Sequence, residues 1–407
     1  MYLSTIRGPE SDSGRRGLKL VSGNVVALGA VSLITDISSE MVAAILPLYL
    51  VIGLQMSPAA YGVIDGLYTG ATVLLRLVGG YVADRVRRRK AVAGAGYGLS
   101  AAAKLGLLAA GNSFALLGAA ITVDRAGKGL RTAPRDALIT LSTPSDQLGR
   151  AFGVHRSMDA FGAFLGPLLA LAVLSATANA FDAVFVVSFC VAALGVVVLV
   201  LFVRDHRGPV EPKGAVSPRA VLALLPSTWR IVLVAGLIGL ASIGDGFVYL
   251  LLQRREDLAV GWFPLLAVGT SVVYLALATP LGVLADRVGR VPVLLGGYAA
   301  LVVVYLALFG PVGGWPLVVG VVVLYGLFYA ATDGVLMALV APLLPERVRT
   351  TGIALVQSAQ ALAYLGSSVL FGLAWAAWGP GAATRVAAGV AVAAMAATAW
   401  VLLKGRR

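Results

Sequence analysis

Charged residues are scarce in this sequence, making up 13% of the 407 residues, whereas 59% are hydrophobic. An ordinary soluble domain is about a quarter charged. The chain therefore has too little polar surface to cover soluble domains of this total length. Disorder is excluded as well, because disordered segments are poor in valine, leucine and alanine, which are abundant here. The composition predicts an integral membrane protein.

Cysteine and histidine are also scarce. Because Cys190 is the only cysteine, an intramolecular disulfide and a CxxC motif are both excluded. The two histidines, His155 and His206, are too few for a histidine-based metal cluster. The sequence also lacks a phosphate-binding loop and any nucleophile, base and metal-ligand set at catalytic spacing. We therefore expect neither an enzyme nor an ATP-driven pump, and no cofactor or metal.

Basic residues outnumber acidic residues by 32 to 19, which gives a net charge of +13. They cluster in short loops between apolar runs, as in residues 85–90, and this pattern favours the cytoplasmic face of a membrane over a nucleic-acid partner. The runs are about 20 residues long, the length of a spanning helix, whereas β-barrel strands are shorter and alternate in polarity. About twelve runs are present, centred near residues 36, 71, 100, 124, 164, 192, 239, 274, 301, 325, 363 and 393.

The loops that follow the even-numbered runs carry most of the basic residues, so the positive-inside rule predicts that both termini are cytoplasmic. The longest polar interruption follows the sixth run and is rich in Pro, Gly and charge, which is typical of a linker. These features predict a cytoplasmic tail at residues 1–21, a six-helix bundle at 22–203, a cytoplasmic linker at 204–228, and a second bundle with a short cytoplasmic tail at 229–407.

Two turns repeat the sequence pattern G-x-x-A-D-R-V, one starting at Gly80 and the other at Gly282. They follow the second and eighth runs and lie about 200 residues apart. Asp36 and Asp245 are separated by a similar interval. A duplicated unit of six spans predicts an all-α protein of twelve transmembrane helices, in two bundles related by a pseudo-two-fold axis along the membrane normal.

Both turns resemble the signature of the major facilitator superfamily, G-x-x-x-D-(R/K)-x-G-(R/K)-(R/K), with Arg87 of the first copy replacing the usual glycine. The resemblance covers essentially the whole chain. It implies a monomeric, bacterial-type secondary transporter of the inner membrane, whose partners are the lipid bilayer, a small-molecule substrate and protons. It also implies that the turn residues latch the cytoplasmic side shut, the alternative being that they cap helices in solvated loops; they are Gly80, Asp84, Arg85, Gly282, Asp286 and Arg287.

Ionisable residues inside apolar runs are costly, so each is a functional hypothesis. The resemblance places most of those found here on helices around a central cavity, where they could bind substrate or protons: Asp36, Glu40, Asp124, Arg125, Lys128, His155, Arg156, Asp159, Asp245 and Asp333. An alternative for Asp124 is a structural ion pair with Lys128, four positions away. Lys104 is expected to extend its amine to the membrane surface.

Proton coupling is expected at carboxylates without a basic neighbour, because such groups can load and release protons. Four are candidates, namely Asp36, Glu40, Asp245 and Asp333; the alternative is that they stay protonated and hydrogen-bonded.

The direction of transport is predicted from the fifth run, where Gly162, Gly166 and Pro167 resemble the G-x-x-x-G-P signature of proton-driven exporters. The alternative is that these small residues only allow close helix packing. We therefore predict proton-coupled export of a small molecule. One alternative is proton-coupled uptake of a small solute, for instance an anion bound by Arg125, Lys128 and Arg156. Another is a non-transporting receptor or scaffold with the same fold.

Overall fold

A computed structural model describes residues 22–70, 88–144, 147–205, 218–340 and 349–404, which are helical apart from short connections. We number the helices in chain order: α1 Gly23–Leu48, α2 residues 58–70, α3 Arg89–Ala109, α4 Phe114–Leu141, α5 Leu148–Ala176, α6 Phe181–Phe202, α7 Pro218–Ala241, α8 Asp245–Glu256, α9 Phe263–Val288, α10 Arg290–Phe309, α11 Trp315–Val340, α12 Arg349–Trp378 and α13 Pro380–Lys404. A π-helical turn, Tyr49–Gly53, extends α1.

Ten segments of the described chain are long and apolar enough to cross a membrane. In that set α7 and α8 together form one span, and α1 is counted with its π-helical turn. Two further helices correspond to the second and fourth apolar runs: α2, described only to residue 70, and α4, which is 28 residues long and carries several charges. The prediction of an all-α membrane protein is confirmed, and the twelve segments follow the twelve apolar runs in order.

The helices pack as two bundles. In the first half of the chain, α1 packs against α5 and α6, and α3 packs against α4 and α6. In the second half, α7 packs against α12 and α13, and α11 packs against α9 and α10. Contacts between the halves join α5 to α9 and α1 to both α8 and α9. This is the two-bundle arrangement that the internal repeat predicts.

The seventh span is broken in its middle. α7 ends at Ala241 and α8 begins at Asp245, so the intervening backbone leaves the helical hydrogen-bond ladder. The Tyr305 hydroxyl on α10 donates to the Ala241 carbonyl at 3.1 Å, and the Ile243 N–H donates to the same hydroxyl at 2.9 Å. A bilayer interior offers little water to bond free backbone groups. The Tyr305 hydroxyl therefore supplies the hydrogen bonds that the Ala241 carbonyl and the Ile243 N–H lack within the helices. The break places Asp245 in the first turn of a helix.

Two glycines of α5 bring it close to α1. A Cβ atom at Gly162 would collide with the backbone of Leu33, and one at Gly166 would lie 2.8 Å from the Ile37 carbonyl oxygen. The chain therefore uses glycine at both positions because the two helix backbones nearly touch. This contact fixes the cavity-facing side of α1 relative to α5.

The halves meet at one end of the molecule, where α1 ends and α2 begins. A Cβ atom at Gly62 of α2 would overlap the backbone of Ser368 and Gly372 on α12, and Gly246 of α8 lies against Pro47 and Tyr61. We call this end, formed by residues 47–62, 244–263 and 368–378, the closed end. Under the predicted orientation it would be the extracytoplasmic end.

Candidate functional site

A cavity of ≈ 450 Å³ lies between the two halves. Helices α1 and α5 line it from the first half, and α8, α9 and α11 line it from the second. A neighbouring cavity of ≈ 300 Å³ shares Asp245, Tyr329 and Asp333 with it. Both halves thus contribute walls to one central site.

Three carboxylates line the larger cavity, and all three are among the residues predicted from sequence. Asp245 accepts hydrogen bonds from the Tyr325 hydroxyl at 2.8 Å and from the Tyr329 hydroxyl. Asp333 accepts one from Tyr274 at 3.1 Å. Glu40 has no hydrogen bond or ion pair in the part of the chain that the structure describes. Within the same residues, none of the three carboxylates forms an ion pair, although the charge of Arg125 acts on Glu40.

Four aromatic residues form part of the remaining wall of the cavity, which otherwise consists mainly of alanine, proline and other small residues. Tyr249, Tyr274, Tyr329 and Phe263 line it, and the Tyr249 and Phe263 rings are packed edge to face with centroids 6.1 Å apart. Thr270 also lines the cavity; it is 4% exposed, and its hydroxyl lies beside that of Tyr249. The sequence analysis did not identify these residues, because aromatic residues are common throughout apolar spans.

Asp124 belongs to a buried ion cluster away from the cavity lining. Its carboxylate pairs with Lys104 at 2.6 Å and with Arg125, and Ser100 donates a further hydrogen bond. Two expectations are therefore wrong: Lys104 is 2% exposed and does not reach the surface, and the partners of Asp124 are Lys104 and Arg125 instead of Lys128. The cause is the close contact of α3 with α4, which brings Lys104 of one helix against Asp124 of the other.

Four of the other predicted first-half charges, Asp36, His155, Arg156 and Asp159, find partners outside the cavity lining, so the expectation that Asp36 lacks a basic neighbour is wrong. Asp36 lies 3.5 Å from Arg131, whose guanidinium stands over the Tyr97 ring. The His155 Nε2 atom lies 3.1 Å from the Ser32 hydroxyl. Asp159 pairs with Arg156 at 3.3 Å, and the Arg156 side chain is 79% exposed. Lys128 contributes charge near Asp36 without an ion pair within the described ranges.

Asp65 on α2 is a carboxylate that the sequence analysis did not single out. It accepts hydrogen bonds from Tyr61 on its own helix at 3.3 Å, and from Tyr364 and Ser368 on α12 at 3.3 and 2.6 Å. Because α12 belongs to the other half, these bonds cross between the bundles near the closed end. An acid in the second apolar run was the available sequence signal, but its partners lie about 300 residues away.

The proposed latch is described in its second copy alone, because Gly80, Asp84 and Arg85 lie outside the described residues. Asp286 is exposed and pairs with Arg290 at 3.6 Å, one turn further along the chain. Arg290 also donates to the Ala338 carbonyl at 2.6 Å, and Arg287 is exposed. A Cβ atom at Gly282 would meet no heavy atom within 4 Å. The second turn thus ties α9 to its neighbours within the second half.

No group of three or more histidine, cysteine, aspartate or glutamate side chains suited to a metal ion is found in the described ranges. The site consists of a cavity, three carboxylates and an aromatic wall. Its chemistry is that of ligand binding through charge, hydrogen bonds and aromatic contacts.

Comparisons with known proteins agree with this architecture. The sequence profile of the Major Facilitator Superfamily matches residues 28–264 and 255–407. The chain is 31% identical over 363 residues to an uncharacterised MFS-type transporter of Methanocaldococcus jannaschii, which covers 87% of this chain and 89% of that protein. An uncharacterised protein of Mycobacterium tuberculosis is 34% identical over 158 residues, which cover 39% of this chain and 38% of that protein.

Solved transporters share the fold at low sequence identity. The nucleoside transporter NupG superposes with a TM-score of 0.80 at 12% identity, covering 93% of this chain and 99% of its own. A POT peptide transporter in complex with sulfate superposes with a TM-score of 0.75 at 17% identity, covering 96% of each chain. With both halves matched by the family profile and the fold shared over nearly its whole length, the chain belongs to the Major Facilitator Superfamily of membrane transporters.

Proposed function

We propose that this transporter couples the export of a small molecule to the movement of protons, by alternating access of the central cavity to the two sides of the membrane. The observation that carries the proposal is the set of three cavity carboxylates, Glu40, Asp245 and Asp333, which form no ion pair among the described residues. They come from both halves of the chain, so their charge affects how closely the two halves can approach each other around the cavity.

Proton exchange follows from the cost of ionised carboxylates away from water. Such groups are expensive in a closed apolar site and inexpensive in a hydrated one. Proton uptake and closure of the cavity are therefore linked, because each favours the other. By contrast, Asp124 is neutralised permanently by two cations, so its role is to hold α3 against α4.

Export is supported by the position of the segment that resembles the exporter signature. Gly166 of α5 packs directly behind Glu40, so that a Cβ atom there would lie 2.6 Å from the Glu40 Cβ atom. A change in the charge of Glu40 would thus act next to a close contact between α1 and α5. Anion uptake has less support, because Arg125 and Arg156, two of the three cations it would need, are already paired with aspartates.

The proposal is tested in proteoliposomes. A panel of antibiotics, siderophores and metabolites is first screened for compounds that raise the thermal stability of the purified protein, since a bound ligand must stabilise the folded state. Uptake of a stabilising compound is then measured under imposed pH gradients. A proton antiporter accumulates the compound when the vesicle interior is acidic, whereas a symporter does so when the exterior is acidic.

The matched variants are Glu40→Gln and Asp245→Asn, with Asp182→Asn as the control, because Asp182 is exposed in the first turn of α6. We expect gradient-driven accumulation to fall at least tenfold in one or both cavity variants and to be unchanged in the control. If accumulation in the parent protein did not depend on the pH gradient, proton coupling would be refuted. If the compound accumulated when the exterior was acidic, export would be refuted.

A further inference from the structure

We propose that shutting the closed end takes up one proton, which Asp65 of the first half and Asp245 of the second half then share. This inference rests on the proposed function and deepens it, because it names where a proton is held while the two halves meet. It is carried by the close fit of Asp65 against the break in the seventh span, and by the lack of an ion pair on either carboxylate among the described residues.

Asp65 reaches from α2 of the first half to the broken span of the second half. A Cβ atom at Gly244, the last residue of the break, would overlap the Asp65 carboxylate, and one at Gly246 would overlap the Tyr61 hydroxyl. Asp245 lies between these two glycines and begins α8. Glycine at both positions therefore allows the carboxylate of one half to lie against the backbone beside the carboxylate of the other.

Only hydroxyl groups bond to the two carboxylates within the described part of the chain. Asp65 accepts hydrogen bonds from Tyr61, Tyr364 and Ser368, and Asp245 accepts them from Tyr325 and Tyr329. The other titratable groups that act on the pair are also tyrosines, so that the full set from α2, α8, α10, α11 and α12 is Tyr61, Tyr249, Tyr305, Tyr325, Tyr329 and Tyr364. A tyrosine hydroxyl is neutral near neutral pH, so this set cancels no charge.

The shut form therefore brings two like charges together unless a proton is bound. Carboxylates that share one site ionise together only at a high cost, and one proton held by the pair removes the repulsion. The surrounding hydroxyls suit both forms, because a hydroxyl donates to a carboxylate and accepts from a protonated carboxyl group. When the halves part, the two carboxylates separate and each ionises alone. Lower pH should thus favour the shut form.

The test follows the closed end as a function of pH in lipid nanodiscs, without a gradient. Spin labels on Asn112→Cys and Val312→Cys, in a Cys190→Ser background, report the distance between the halves at this end. Uptake of one proton changes the ratio of shut to open molecules by up to about tenfold per pH unit. We expect the shut fraction of the parent protein to rise as the pH is lowered from about 9 to about 5.

Asp65→Asn and Asp245→Asn should each remove most of this pH dependence and raise the shut fraction at high pH, because an amide carries no charge. The double variant should add little to either single variant, since both act on the same proton. Asp182→Asn, on the exposed first turn of α6, should behave as the parent protein does. Thermal unfolding of each variant checks that the fold is kept.

Tyr364→Phe separates the shared proton from a merely structural role of this contact. It removes a hydroxyl that bonds to Asp65 and leaves both carboxylates in place. We expect a smaller shut fraction at every pH, with the pH dependence retained.

A shut fraction in the parent protein that is constant with pH, or that rises with pH, would overturn the inference. A pH dependence that survives both carboxylate variants would overturn it too. Either result would leave proton coupling through Glu40 or Asp333 intact, provided that accumulation in proteoliposomes still follows the pH gradient. Conversely, pH-dependent closure without gradient-driven accumulation would refute the proposed coupling and leave the shared proton in place.

Discussion

At the scale of single residues, the carboxylates of this protein fall into two kinds that respond oppositely to neutralisation. Asp124 is held by Lys104 and Arg125, both nearly fully buried. Asp124→Asn would leave these cations without their counter-ion, at a cost of about 3–5 kcal/mol. We therefore expect a large fall in the free energy of unfolding of the purified protein, measured in detergent.

The matched comparison is Glu40→Gln, which removes a carboxylate that has no ion pair within the described part of the chain. Its stability should equal or exceed that of the parent protein. Equal unfolding free energies for Asp124→Asn and the parent would show that the buried cluster contributes no stability.

The sequence was sufficient to identify the cavity carboxylates but not the partners of the other charges. Glu40, Asp245 and Asp333 stand out because an ionisable residue in an apolar span is rare and expensive. The pairing of Asp124 with Lys104 depends on how α3 rotates against α4, and spacing along one helix cannot give this. Asp65 was missed for the same reason, since its bonds to Tyr364 and Ser368 come from the other half.

At the scale of elements, the break in the seventh span depends on one hydroxyl group. Tyr305→Phe would leave the Ala241 carbonyl and the Ile243 N–H without their described partner. Loss of a buried partner costs about 1–3 kcal/mol. We expect a lower unfolding temperature and faster hydrogen exchange at Ile243, followed by mass spectrometry of peptides from α7 and α8.

Tyr298→Phe is the control for this prediction. Its hydroxyl is also buried on α10, but it contacts the Ser242 side chain and reaches the Ile238 carbonyl only at 3.5 Å, the limit of a hydrogen bond, so its loss should cost less. If the two variants were equally stable, the Tyr305 hydroxyl would not be what satisfies the break. The sequence predicted this span but not its interruption, because a single glycine, Gly244, marks it and the stabilising tyrosine lies on another helix.

The contact between α5 and α1 gives a second prediction at this scale. Gly162→Ala places a methyl group against the Leu33 backbone, which cannot move aside as a side chain could. We expect a loss of thermal stability and of transport, because α1 carries Glu40.

Gly153→Ala provides the comparison on the same helix, since a Cβ atom there would meet no heavy atom within 4 Å. It should leave the stability unchanged or raise it by up to about 1 kcal/mol, because alanine favours the helix more than glycine does. A Gly162→Ala protein as stable as Gly153→Ala would mean that the two helices can separate without cost.

At the scale of the whole molecule, the closed end is held in part by bonds that cross between the halves. Ser368→Ala removes the hydroxyl that donates to Asp65 at 2.6 Å. A hydrogen bond of this kind contributes about 1–2 kcal/mol, so the ratio of open to closed molecules should rise roughly tenfold. Spin labels at Asn112 and Val312, in a Cys190→Ser background, report the distance between the halves at this end.

The neighbouring Ser367→Ala is a closely matched control, because the Ser367 hydroxyl donates to the Leu240 carbonyl at 2.9 Å, within its own half. This variant should leave the distance distribution unchanged. A Ser368→Ala distribution identical to that of Ser367→Ala would exclude the bond to Asp65 as a support of the closed end.

Opening of the closed end would also expose to water polar groups that are buried when it is shut. Tyr61, Tyr364 and Ser368 hydroxyls surround the Asp65 carboxylate in the shut form, and two of the three belong to the opposite half. When the halves part, every bond that crosses between them must be replaced by a bond to water, since a buried polar group left bare is costly. The open form therefore holds several more ordered water molecules than the shut form. Osmolytes that are excluded from the gap should therefore shift the equilibrium toward the shut form.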